Sequence, residues 1–243
     1  MFEINTDYGY FLHLAKCALN DLQPKEKPPE VIFENVFQIS RRHSLSNLLW
    51  YSVEKLNNKP SPELIAQWYS DYGVLLRQAA YQEMETEKLT HIFTSRGFDV
   101  MPIKGSQIRA YYPQPDMRTM GDIDFLVREQ NRQVVRDIMH SLGYEDDVLD
   151  DGQVDGFKRG KIDYIEIHYD FSAENHIMHD VFTIYWNKLL PTDIEHLYEM
   201  TFEDLYFFNI GHYVKNMHNK GMGLRGVVDT FVLWNRLTDN QKQ

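Results

Sequence analysis

Cysteine is nearly missing from this chain: Cys17 is the one thiol among 243 residues. A disulfide within the chain is therefore impossible, and a reducing cytoplasm fits. Basic residues are also scarce, with 25 Lys and Arg against 36 Asp and Glu and a formal net charge of −11. An extended nucleic-acid footprint needs a basic face, so this balance counts against one, although a local basic groove stays compatible with it. No run approaches the ~20 apolar residues of a membrane span. The opening MFEINTDYGYFLHLAK lacks a basic stretch followed by an apolar one, so it does not read as a secretion signal.

What is present is enough for one substantial core or two small ones, since 43% of residues are apolar and 14% aromatic. Helical periodicity runs through residues 5–22, then Pro24, Pro28 and Pro29 break the chain. Short helices are expected over 31–39 and 45–56. Ser61-Pro62-Glu63 is a good helix start, with an N-cap serine, proline at the first position and an acidic first turn. The helix it opens should run to about Arg96, with Gly97 beyond its end, roughly 50 Å if straight. Further helices are expected over 130–142 and 202–218.

The most informative stretch is Val100 to Arg128, VMPIKGSQIRAYYPQPDMRTMGDIDFLVR. A short apolar strand runs into Lys104-Gly105-Ser106. Gly105 lets the backbone approach a phosphate, and Ser106 offers a hydroxyl. In the later strand, period-two alternation puts Asp122 and Asp124 on one face and Ile123, Phe125 and Val127 on the other, toward a core. Two carboxylates roughly 7 Å apart repel each other, so neutralising one should relieve strain in the metal-free protein. Shared divalent cations would account for the pairing, because they cancel the charge and can grip a triphosphate.

A second polar-faced strand is expected at Ile162–Asp170. Alternation groups Tyr164, Glu166 and His168 on one face and Ile165, Ile167 and Tyr169 on the other. His168 could contact phosphates, hold the carboxylate, or be an ordinary hydrogen-bonded strand histidine. Asp163 falls on the opposite face, and Asp170 sits near the strand end. The acidic segment between Tyr144 and Gly160 lacks calcium-loop spacing and reads as an exposed strand-and-turn connection. His176 and His179 at i,i+3 lack the further ligands a zinc site needs. Arg225 and Asp229 at i,i+4 read as a helix-surface ion pair, with a phosphate contact by Arg225 as the alternative.

The ordered set, Gly-Ser after a strand and then Asp-x-Asp on the next, resembles the DNA polymerase beta-like nucleotidyltransferase superfamily. Arg118, four residues before Asp122, looks like the arrangement in its CCA-adding branch. The run PIKG, YYPQP, Arg118 and DIDFLV is most similar to a bacterial "uncharacterised nucleotidyltransferase" family, as are Glu-Ile-His at 166–168 and Gly-Leu-Arg-x-x-x-Asp at 223–229. The resemblance implies an α+β fold: a small mixed-sheet, polymerase beta palm-like core over 88–190, between helical regions at 1–87 and 191–243. It implies Asp122, Asp124 and Glu166 as the catalytic and metal-binding carboxylates, with Mg2+ or Mn2+ as cofactor. Lys104, Gly105, Ser106, Arg118 and His168 are the expected nucleotide contacts. The expected reaction moves a nucleoside monophosphate from an NTP to an acceptor hydroxyl, small or macromolecular, with release of pyrophosphate. Rival readings are a nucleotide-binding module without turnover, a toxin-type enzyme acting on RNA, and an antibiotic-modifying enzyme.

Overall fold

The computed structural model describes residues 4–129, 131–149, 154–160, 163–169, 186–219 and 223–238. The chain forms two compact units, each drawn from separated stretches. One comprises Met1–Ala80, Ile108–Thr119 and Asn219–Leu237; the other comprises Tyr81–Gln107, Met120–His218 and Thr238–Gln243. No described helix is long and apolar enough to cross a membrane.

The first unit is helical. It holds α1 (Asp7–Leu19), α2 (Phe33–Arg42), α3 (Ser46–Val53) and the opening turns of α4 (Pro62–Thr94). Local chemistry sets the starts of two of these. Thr6 Oγ1 accepts the Gly9 amide at 3.0 Å ahead of α1, and Ser61 Oγ, the expected N-cap, accepts the Leu64 amide at 3.3 Å ahead of α4. Phe11, Leu14, Val36, Leu48, Leu49 and Val53 are fully buried. Trp68 packs on Phe37 with centroids 4.9 Å apart and donates its indole N–H to the Ser46 carbonyl at 3.0 Å, so its one polar atom is satisfied.

The unit also receives the 108–119 segment and a late helix, Arg225–Trp234. That helix corrects the surface ion pair expected of Arg225 and Asp229. Asp229 is buried, accepting Arg118 Nη2 at 3.0 Å, Arg118 Nε at 3.3 Å and the Tyr112 hydroxyl at 2.6 Å. Arg225 Nη1 donates to the Thr119 carbonyl at 3.2 Å. Burying the carboxylate is tolerable because a forked guanidinium and a phenol occupy both its oxygens. Spacing along one helix could not reveal those partners, which come from the 108–119 segment.

The second unit carries a mixed five-stranded sheet of order β1-β2-β5-β4-β3. Its strands are β1 (Val100–Ile103), β2 (Ile123–Val127), β3 (Glu145–Leu149), β4 (Val154–Arg159) and β5 (Asp163–His168). The β2–β5 pair is parallel and the other three pairs are antiparallel. Helices and a mixed sheet make this an α+β protein. Ile123, Phe125, Val127, Phe157, Ile165 and Ile167 bury one sheet face together with Leu89 and Phe93 of α4 and Val135, Ile138 and Met139 of α5 (Arg132–Ser141). Gly97 and Gly143, just past α4 and α5, take left-handed backbone at φ +79° and +83°, which a side chain would resist.

The acidic connection between Tyr144 and Gly160 is also corrected. Its strands are as expected, and what differs is exposure: Asp155 on β4 is fully buried. Arg136 donates to its two oxygens at 2.7 and 3.1 Å, Tyr169 at 2.9 Å, and Arg132 closes the clasp. Burial would raise the Asp155 carboxyl, but the two guanidiniums and the phenol outweigh it and hold the group below the usual carboxylate range. A carboxylate stabilised this way contributes above its ordinary pKa and loses that contribution as pH falls through the depressed value. Asp155→Asn should therefore cost about 2–4 kcal/mol in urea unfolding at pH 7. The difference from wild type should shrink as the pH falls below about 4. A pH-independent gap would show that Asp155 acts through shape rather than charge.

Candidate active site

The sheet register builds the site. In the parallel β2–β5 pair, Asp124 stands directly opposite Glu166, and Leu126 opposite His168. Alternation buries Ile165 and Ile167 in the core, so Glu166 and His168 turn to the other face with Asp124. Ligand atoms of Asp124, Glu166 and His168 all lie within 4.8 Å of one another. His168 Nε2 is 3.0 Å from Asp124 Oδ1 and 3.5 Å from Glu166 Oε2. Asp122 lies one residue before β2 and outside this three-residue group.

The turn after β1 supplies the rest. Ile103 pairs with Asp124 across the antiparallel ladder, and the next residue, Lys104, adopts left-handed backbone at φ +54°. Its ammonium bonds to Asp124 Oδ1 and lies 3.2 Å from His168 Nε2 and 3.5 Å from Glu166 Oε2. Gly105 opens a single helical turn, Gly105–Ile108. The buried Ser106 hydroxyl has no hydrogen-bond partner among the described residues. Arg118, the other expected nucleotide contact, belongs to the first unit, where Asp229 engages its guanidinium. Asp170, His176 and His179 fall outside the described residues.

The two aspartates titrate in opposite directions. For Asp124, burial works against the charge, but Lys104 and His168 outweigh it and hold the carboxyl below the normal range. Asp122 is raised, by burial first and by the Asp124 charge second, although Lys104 acts against both. Burial pulls Lys104 down, while Asp124 and Glu166 more than offset it, so the ammonium is reinforced. The strain expected of crowded carboxylates thus falls on Asp122. Asp124 is relieved of it by an internal cation that its own strand does not reveal.

Two carboxylates and an imidazole converging within one ion's reach fit a divalent cation. Carboxylate oxygen suits Mg2+ and Mn2+, while the imidazole favours Mn2+ of the two. The sequence matches a family described as uncharacterised nucleotidyltransferase over residues 29–242. The chain is a member of the uncharacterised nucleotidyltransferase family. A solved structure, that of an antigenic nucleotidyltransferase-like protein from Paracoccidioides brasiliensis, is similar over 63% of this chain and 74% of that one. Its identity is 12% and its TM-score 0.42. No curated protein matches significantly.

Opposite shifts make a separable prediction for the metal-free protein at pH 7. Asp122→Asn removes a charge the fold disfavours, so it should melt at the wild-type temperature or above. Asp124→Asn strips Lys104 of its closest anion and should melt several degrees lower, at about 1–2 kcal/mol of cost. As the pH falls, Asp122 becomes neutral first because its carboxyl is raised, so its difference from Asp122→Asn should vanish by about pH 4, while the Asp124 difference persists to lower pH. Calorimetric melts of the three proteins across pH check the ordering.

Proposed function

We propose that the protein transfers a nucleoside monophosphate from an NTP to an acceptor hydroxyl, using the β1–β2–β5 face of the second unit. The observation that carries this reading is the in-register opposition of Asp124 and Glu166, with His168 beside them and the Lys104-Gly105-Ser106 turn at the strand end. A divalent cation held by Asp124, Glu166 and His168, with Asp122 nearby to add charge, would neutralise the triphosphate and draw electron density from the α-phosphorus.

The chain's own groups then take distinct parts. Gly105, without a side chain, lets the backbone come close to the β- and γ-phosphates, and the unpartnered Ser106 hydroxyl can donate to them. Glu166 is the more exposed carboxylate, with 39% of its side chain accessible against 4% for Asp124. It can therefore reach an incoming hydroxyl and accept its proton. The acceptor oxygen forms its bond to the α-phosphorus as the bond to the bridging oxygen breaks, and pyrophosphate carries that electron pair away. Arg118 is left out of this reading, because a bidentate partner already occupies it. The acceptor and the nucleobase are left open.

The test pairs two variants with two readouts. Incubation with labelled NTPs, Mg2+ or Mn2+ and cell extract should transfer label to a discrete acceptor, and EDTA should abolish it. Glu166→Gln should keep nucleotide affinity within about threefold by calorimetry while lowering transfer by orders of magnitude, at least about 10²-fold. Asp124→Asn should lose both. Full transfer by either variant would remove these carboxylates from the reaction.

A further inference from the structure

We infer that Lys104 is the resident counter-ion of the metal site, holding its ligands together before a divalent cation arrives and giving way to that cation. The inference rests on the metal-binding reading above and goes beyond it by assigning the metal-free state. Its first support is placement. One ammonium nitrogen bonds to Asp124 and lies within 3.5 Å of His168 Nε2 and Glu166 Oε2, one atom from each residue that could ligate an ion. The lysine sits in the position a cation would take.

The second support is an unmet valence. His168 Nε2 faces the Lys104 ammonium at 3.2 Å and the Asp124 carboxylate at 3.0 Å. A ring nitrogen carries either a lone pair or a proton. If Nε2 accepts from the ammonium, its lone pair also faces a carboxylate oxygen. If it donates to Asp124, its proton faces the ammonium. Either tautomer leaves one close contact unsatisfied. A cation that takes lone pairs from both oxygens and Nε2 has no such conflict, so the lysine is an adequate occupant and a replaceable one.

The third support is the backbone. Left-handed φ is unfavourable at a non-glycine residue, and here it falls on Lys104 although Gly105 follows it. The side chain is only 16% exposed. Once displaced, the same long side chain is close enough to the Gly105-Ser106 turn to turn toward a triphosphate.

Mn2+ binding without nucleotide tests this by calorimetry. Lys104→Met removes the charge and keeps the length, and it should bind Mn2+ at least about tenfold more tightly than wild type, while its metal-free form melts at a lower temperature. Lys104→Arg keeps a cation and should stay near wild-type affinity. In wild type, saturating Mn2+ should speed acylation of the Lys104 amine by an amine-reactive ester, followed by mass spectrometry. This measurement needs no variant to fold. Unchanged or weaker Mn2+ affinity in Lys104→Met, or equal Lys104 reactivity with and without Mn2+, overturns the inference. Asp124→Asn separates the two levels. If it abolishes Mn2+ binding while Lys104→Met changes nothing, the metal site stands and the lysine's role falls. If it leaves Mn2+ binding intact, the metal site falls and the inference with it.

Discussion

Parallel pairing of β2 with β5 is the constraint on which the site depends. The two strands are far apart in sequence, and a helix and a hairpin lie between them. Only their register sets Asp124 against Glu166. A slip of one residue on either strand would turn its carboxylate into the core and an isoleucine or phenylalanine out. The core forbids that slip, because Ile123, Phe125, Ile165 and Ile167 fill one continuous face. Hydrophobic packing on one side of the sheet therefore fixes polar geometry on the other. The chemistry is held by residues that take no part in it.

Two buried carboxylates in the second unit show how context decides what a buried acid is for. Asp155 is enclosed by two guanidiniums and a phenol, with no lone pair left to offer a ligand. Asp124, the second residue of β2, has a single lysine and an imidazole. Both carboxyls are held below the normal range, so the shift alone does not separate structure from site. The identity of the partners does. Arginines bound through fixed forks form a permanent clasp, whereas a single ammonium on a flexible stem can leave.

Local patterns made the strands and much of the helix punctuation legible. Alternation in IDFLV and in YIEIH separated core from polar face, and the structure keeps that separation. Ser61 and Pro62 marked the α4 start, and Gly97 marked its exit. Contacts between distant stretches were not legible. Nothing in EDDVLDDGQVDGFKRG says that Asp155 will meet Arg132 and Arg136, and nothing near Asp229 announces Arg118 and Tyr112. The joining of 108–119 to the helical unit is likewise invisible to periodicity. Lys104 is the sharpest case. Its side chain enters the cluster because the backbone turns left-handed at a lysine that precedes a glycine, the reverse of what propensity favours.

That reversal bears on the aspartate pair. Had Gly105 taken the left-handed position and Lys104 an ordinary one, the ammonium would lose the backbone turn that brings it over Asp124. Burial and mutual repulsion would then raise both aspartates. With the lysine present, the two are driven apart: Asp124 is kept ionised and Asp122 is pushed upward. A pair with opposed shifts has divided roles. Asp124 is the member kept charged, within the group it forms with Glu166 and His168. Asp122 is the member whose charge the fold favours least, and further positive charge at the site would do most for it. The left-handed turn at Lys104 thus does for the folded chain what a metal would do for the working site: it offsets the Asp124 charge that burial would otherwise penalise.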